Sequence, residues 1–481
     1  MVSKFIIIVN FVANFFVSVM IKIICVVSIY CIVGVLFRVS AQDNPSQTLT
    51  TGKGFAWTLE ECIRYAYDNN IQLKQMQLDV NQAENNLLQS RVNLLPNLNA
   101  SSSYNASKGK TLDMNTFRIV DGQTVSSLSG GISSNLTLFS GFQKKNTIDR
   151  NLYSMLASIQ NVEKLKNDLS INIALFYLQV IHAQEQLSVA ENQLNLTILR
   201  VERTQTLVDA GSVPEGDLFE IQSQAAREEL QVVTANNILE MSRLNLMQML
   251  DLNVQTDFQI VVPDFSNIIL SDPVVSVDDI FSHAESVLPQ IKAAEYYLKS
   301  SEKQLSIAKG YRSPTLSLSG GYSTRYSSSA LNPTSPTDDY PLWVQLKDGV
   351  NSYIGLSLNI PIFTGWQIQT GVKNSQINLQ NQQYQLQHTK NTLYKEIQQA
   401  HADALAAQKR FQAATKAVAS MEEAFRYTEQ RYELGLMNFV DYTTVKTRLT
   451  GAQSDMLQAK FEYIFKVNVL NFYKGEKMVI N

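Results

Sequence analysis

Between Leu187 and Val208 the apolar and small residues fall at Leu187, Ala190, Leu194, Thr197, Val201, Thr204 and Val208, alternately three and four positions apart. Leu218, Ile221, Ala225, Glu228, Val232, Ala235 and Leu239 repeat that spacing. A period of 3.5 predicts helices packed as coiled coils, and the many Ala, Thr and Gln positions predict close, shallow interfaces. No Gly or Pro interrupts 142–210, 217–262 or 372–434. Such lengths exceed the usual globular helix, and some 60 residues at about 1.5 Å each make a rod of roughly 90 Å.

A second pattern has period two. Leu128, Gly130, Ile132, Ser134, Leu136 and Leu138 alternate with small polar residues, as do Ile354, Leu356, Leu358, Ile360 and Ile362. Leu316, Leu318, Gly320 and Tyr322 are weaker versions. Apolar on one side and small polar on the other over about ten residues is the signature of a transmembrane β-strand. A half-buried strand of a soluble sandwich uses the same alternation. Tyr104, Phe139, Phe142, Tyr322, Tyr326, Phe363 and Trp366 at the strand ends favour the membrane, where aromatics gather at the interfaces. Four strands cannot close alone, and lipid forbids an open edge, so two, three or four copies must share one barrel.

The pattern is written twice. "LFSGF" at Gly141 matches "IFTGW" at Gly365, and the same spacing separates Gly211 from Gly435 and Asp217 from Asp441. "LLPNL" at Pro96 and "RSPTL" at Pro314 pair at a slightly shorter spacing, which puts the length difference in a hairpin loop. Each half reads helix, two strands, long helix, tight turn, long helix. Gly141 and Gly365 are the strand-to-helix turns, where absence of a Cβ permits a sharp bend. The expected organisation is a first repeat at 58–255, an irregular inter-repeat segment at 256–276, a second repeat at 277–474 and a tail at 475–481. Asp264 and Asp272 in the inter-repeat segment read as ordinary loop acids.

Composition narrows the setting. Charged residues are 17%, and a net charge of −3 gives no reason to propose nucleic acid as a partner. Residues 1–41 read as a signal peptide: Met20 and Lys22 open a charged region, Ile23 to Leu36 is apolar, and Val39-Ser40-Ala41 is a small-residue cleavage site before Gln42. An uncleaved anchor is the alternative, and Met20 competes with Met1 as the start. Residues 42–57 then form a linker. Removing Lys4, Lys22 and Arg38 with that segment makes the mature chain more acidic. Cys62 alone then remains, so disulfides are not expected. No stretch after residue 41 is long and apolar enough for a membrane helix.

These features together resemble a TolC-family outer-membrane efflux protein. "LFSGF" and "IFTGW", "LLPNL" and "RSPTL", and "RYELGLMNFVDYTTVKTRL" from Arg431 carry the resemblance, which runs from about Thr58 to Lys474. It implies a homotrimer, with a twelve-stranded barrel continuing into a periplasmic all-α tunnel. It also implies a passive duct joined to a periplasmic adaptor and to an inner-membrane RND or ABC pump. Outer-membrane lipid is the remaining partner.

At the tunnel's far end lie the helix turns "VDAGSVPEGD" and "YELGLMNFVD", where Gly211 and Gly435 read as helix stops and Asn438 as a cap. The resemblance places Asp441 at the family's pore-constricting carboxylate and Asp217 near the same rim. Multiplied by the subunits, they would form acidic rings that repel one another and favour cations. As single residues they are equally explained by the preference of a first helical turn for acids. Thr444 stands where family members carry a second carboxylate, and Met437 where an arginine latches the helix pair. The gate is therefore expected to rest more on packing and on Tyr432. Leu436 and Met437 read as exposed adaptor contacts, or as a staple closing the turn.

His182, His283, His388 and His401 have neither metal nor triad spacing, and no cofactor, phosphate loop or nucleophile motif appears. An efflux duct for small toxic molecules leads. A duct for one-step (type I) protein secretion uses the same architecture, and a non-porous structural or adhesive rod is the alternative from another class. An enzyme is the least favoured reading.

Overall fold

The computed structural model describes residues 56–113, 117–120, 124–252, 258–263, 276–334 and 340–476. The expected signal peptide, nearly all of the linker, most of the inter-repeat segment with Asp264 and Asp272, and the end of the tail lie outside these residues.

The two halves fold alike, down to helix length. In the first, β1 (Ala56–Trp57) leads into α1 (Leu59–Asn69) and α2 (Ile71–Val92). Strands β2 (Asn99–Lys108), β3 (Thr111–Asp113), β4 (Arg118–Val120) and β5 (Thr124–Ser140) follow, then α3 (Gln143–Asp209) and α4 (Glu215–Met249). In the second, β6 (Gln259–Ile260) precedes α5 (Val277–Val287) and α6 (Pro289–Gly310). Then come β7 (Thr315–Ser327), α7 (Leu342–Asp348), β8 (Asn351–Asn359), α8 (Gln367–Glu433) and α9 (Phe439–Tyr473). Both α3 and α8 have 67 residues, and both α4 and α9 have 35. At about 1.5 Å per residue the longer pair spans roughly 100 Å.

Local chemistry sets the breaks. Thr58 and Glu61 form a reciprocal capping box at α1, with Glu61 N–H donating to Thr58 Oγ1 at 3.2 Å and Thr58 N–H to Glu61 Oε2 at 2.9 Å. Asn70 divides α1 from α2 by capping Leu73 N–H, and Pro289 opens α6 at the matching place. Helix α4 ends at Met249, short of the Gly/Pro-free limit near residue 262, because Asp251 turns left-handed at φ 55°. Helix α8 starts earlier than expected, tolerating Gly371.

The main sheet runs β2-β5-β7-β8, antiparallel throughout. Its pairs place Tyr104 opposite Leu128, Leu128 opposite Tyr326, Leu136 opposite Leu318, and Leu318 opposite Leu356, all on one apolar face. The other face is mostly Ser, Asn, Thr and Gly, with Val125, Arg325 and Tyr353 among them. Two sequence expectations need correction. A bulge between Thr137 and Phe139 makes Leu138 the extra residue, so Phe139, opposite Leu316, takes up the apolar register. Ile360 and Ile362 lie beyond β8, which stops before Pro361, a residue that cannot donate to a ladder.

The core is likewise doubled. Cys62, Ala66, Leu73, Ile173, Tyr177, Ile181 and Leu246 pack in the first repeat, and Ile280, Ala284, Ile291, Leu393, Ile397 and Leu470 in the second. Burying each large side chain contributes about 1.5–3 kcal/mol. Tyr177 hydroxyl reaches the carbonyls of Trp57 and Val261, tying β1 and β6 to α3. The parallel pairing of β1 with β6 was not foreseen. A third cluster, Leu218, Ile221, Phe439 and Tyr442, joins the two helical hairpins near their turns.

Candidate functional site

Helices α3 and α8 end in the same way. Gly211 N–H donates to Val208 O and Ser212 N–H to Leu207 O, both at 2.8 Å. Gly435 N–H donates to Tyr432 O at 3.0 Å and Leu436 N–H to Arg431 O at 2.9 Å. Both glycines are left-handed, at φ 71° and 67°, which satisfies the last carbonyls of each helix. The next helices start differently. Asn438 caps α9 by accepting from Asp441 N–H at 2.8 Å, whereas α4 starts behind Pro214 without a side-chain cap.

Of the residues expected at this mouth, Asp217 is half-buried and Asp441 exposed. Asp217 lies close enough to Tyr432 for its charge to add to burial in pushing the phenol up. Tyr432 stacks on Tyr442 with ring centres 4.7 Å apart and touches Phe439 at 6.2 Å. Phe425 completes the cluster against Tyr442 at 5.6 Å. Thr444 is exposed, with its hydroxyl bonded back to Val440 O at 2.8 Å. Leu436 is exposed and Met437 half-buried, and Leu434, Val440 and Phe219 extend the exposed apolar surface.

Sequence reasoning missed the ion pairs that bind the first helical hairpin to the second. Arg200 on α3 donates to Glu429 on α8 at 2.6 Å, and its guanidinium lies 4.6 Å over the Tyr442 ring. Arg203 approaches Glu433 at 3.9 Å. Deeper in, Lys446 on α9 donates to Thr197 of α3 at 2.7 Å and to Glu228 of α4 at 3.2 Å. Gln193 and Gln224 also donate to Glu228. Burial works against the Glu228 carboxylate, but Thr197, the two glutamines and the Lys446 ammonium outweigh it and hold its pKa below the ordinary value. Lys446 is lowered by burial, which the attraction of Glu228 only partly offsets. One signal was available: Glu228 is a charge on the heptad seam, where a charge needs a partner.

Lys144 and Arg150, just beyond the first strand, are engaged in packing: Lys144 reaches Asn93 O at 2.6 Å and Arg150 reaches Gln304 at 2.8 Å. At the strand-to-helix turns Gly141 and Gly365 are left-handed, and so are the aromatics that follow, Phe142 at φ 59° and Trp366 at φ 65°. Among the described residues no group of three His, Cys, Asp or Glu is placed to hold a metal.

Long helical hairpins carried by a sheet with one apolar face and two open edges define the subunit of an oligomeric membrane channel. The Outer membrane efflux protein family model matches residues 62–251 and 281–475, and the chain belongs to that family. It is 22% identical over 425 residues to Outer membrane protein TolC of Vibrio cholerae, covering 88% of this chain and 92% of that one. Against Outer membrane protein TolC of Escherichia coli it is 23% identical over 423 residues, covering 86% and 81%. The crystal structure of the outer membrane protein VceC from Vibrio cholerae superposes with a TM-score of 0.70 at 15% identity, over 88% of this chain and 97% of that one. The protein is thus an outer-membrane efflux channel with its helices in the periplasm, and it is a conduit, not an enzyme.

Proposed function

We propose that the chain is the exit duct of a tripartite efflux pump, carrying small toxic molecules from periplasm to exterior. Three copies close their strands into one barrel, and the paired turns form the gated periplasmic mouth. The observation that supports this most is the packing at those turns, where Tyr432 stacks on Tyr442 within the second hairpin and Asp217 of the first lies beside it. Repeated by symmetry, Asp217 and Asp441 become carboxylate rings that draw cations and resist crowding. Leu434, Leu436 and Met437 offer the adaptor its contact. Energy comes from an inner-membrane RND or ABC transporter.

Single-channel currents of purified protein in a planar bilayer test this reading, compared with an Asp217→Asn/Asp441→Asn double variant. A small cation-selective conductance that rises or loses selectivity in the variant is the expected result. A conductance indifferent to the change would return both acids to helix capping, and a folded, inserted protein that never conducts would overturn the duct.

A further inference from the structure

Strands β2, β5, β7 and β8 carry two charged residues, Lys108 and Arg325. Lys108 lies in phase with Tyr104, on the apolar face and at the strand's outer end. Arg325 lies on the opposite, polar face, in phase with Ser323 and Ser319, and opposite Ser129 of β5. It is exposed, and among the described residues no carboxylate pairs with it. It stands ten residues beyond Thr315, where β7 leaves the helices, so it lies near the outer end of the sheet.

A hollow of about 460 Å³ opens on this polar face. Arg325, Ser323, Ser129, Ser103, Asn351 and Tyr353 line it. Tyr353 lies across the β7 backbone, because a Cβ added to Gly321 would meet its ring at 2.6 Å. Ser103 and Ser129 hydroxyls bond each other at 2.8 Å. The wall therefore presents a guanidinium, an aromatic face and neutral hydroxyls.

We infer that this hollow is a binding site for small organic carboxylates on the inner wall of the barrel, with Arg325 as its anion-holding residue. The inference rests on closure of the four strands by copies of the chain, which turns their polar face to water. A guanidinium offers paired N–H donors that match a carboxylate, and among the described residues no carboxylate forms an ion pair with Arg325. Tyr353 supplies a flat surface for the body of the ligand, and the hydroxyls supply weak polar contacts. Carboxylates entering the barrel from the tunnel would pause here, beyond the acidic mouth.

Citrate is a suitable probe, titrated onto the outer side of single channels. Partial, reversible reduction of the current is expected, weakened about tenfold in Arg325→Gln, as loss of one charge-assisted contact implies. Arg325→Lys should retain part of the effect, and circular dichroism reports whether the glutamine variant is folded. Equal block in wild type and folded Arg325→Gln, or no block in a conducting wild type, would overturn the site. Absence of conductance in the wild type would instead overturn the closed barrel, and this site with it.

Discussion

Lys446 donates a 2.7 Å hydrogen bond to Thr197, and both side chains are buried where the second helical hairpin meets the first. The bond sits beside the Glu228 carboxylate, so a complete ion pair is held inside a coiled-coil seam. A buried pair contributes little over an apolar substitute, but removing one partner strands the other. Lys446→Met should therefore cost about 3–5 kcal/mol of stability, and the Lys446→Met/Glu228→Leu double variant should regain most of it. Denaturant unfolding of the four proteins measures the cycle.

The same pair makes the seam acid-sensitive. The pKa of Glu228 is held below its ordinary value in the fold, so its stabilisation is complete above the unfolded carboxylate range near 4.5. It is lost as pH falls through the lower, folded value. Hydrogen exchange of α9 near Lys446 should accelerate on acidification within that window, and Glu228→Gln should abolish the step.

The strand-to-helix turns should differ in tolerance. At Gly141 a Cβ would stand 2.5 Å from Gly310 O and 2.6 Å from Ser313 Cβ, while at Gly365 nothing lies within 4 Å. Gly365→Ala should cost about 1–2 kcal/mol, for its left-handed backbone alone. Gly141→Ala should cost clearly more, because backbone must move as well, and thermal stability of the two variants ranks them.

Cys62 should resist alkylation. Its thiol is fully buried, and burial, with the charges of Glu61 and Glu60, pushes it up to about 12. At neutral pH a maleimide should leave the native protein unlabelled and react once it is unfolded. Rapid labelling of native protein would show that this core opens.

Period carried most of the fold into view. The seam positions from Leu187 to Val208 and from Leu218 to Leu239 are all buried or half-buried, because a 3.5-residue repeat leaves a helix one face to hide. Alternation found β5 but not its bulge, since one added residue leaves composition unchanged and shows only in the partner strand. The β1–β6 pair, two residues each, is too short to carry a period. Arg200 and Glu429 met for a reason that hydrophobic pattern does not encode: they are distant in sequence, and only the docking of one hairpin on the other aligns them. Tyr432 was visible because an aromatic beside a helix stop must pack somewhere. Arg325 went unnoticed in a strand read for its leucines.

The crowding at Gly141 and the open space at Gly365 have a consequence for descent. Two copies of one motif began as equals, and their backbones still trace the same bend. Their side-chain surroundings no longer do. Position 141 is locked by a neighbour from the other half of the chain, so any lineage that alters it must first alter Gly310 or Ser313. Position 365 meets no neighbour within its own chain and lies just past the edge strand β8, where another copy closes the barrel, so it answers to its own torsion and to that copy. The first copy is therefore constrained from within the chain, and the second through assembly.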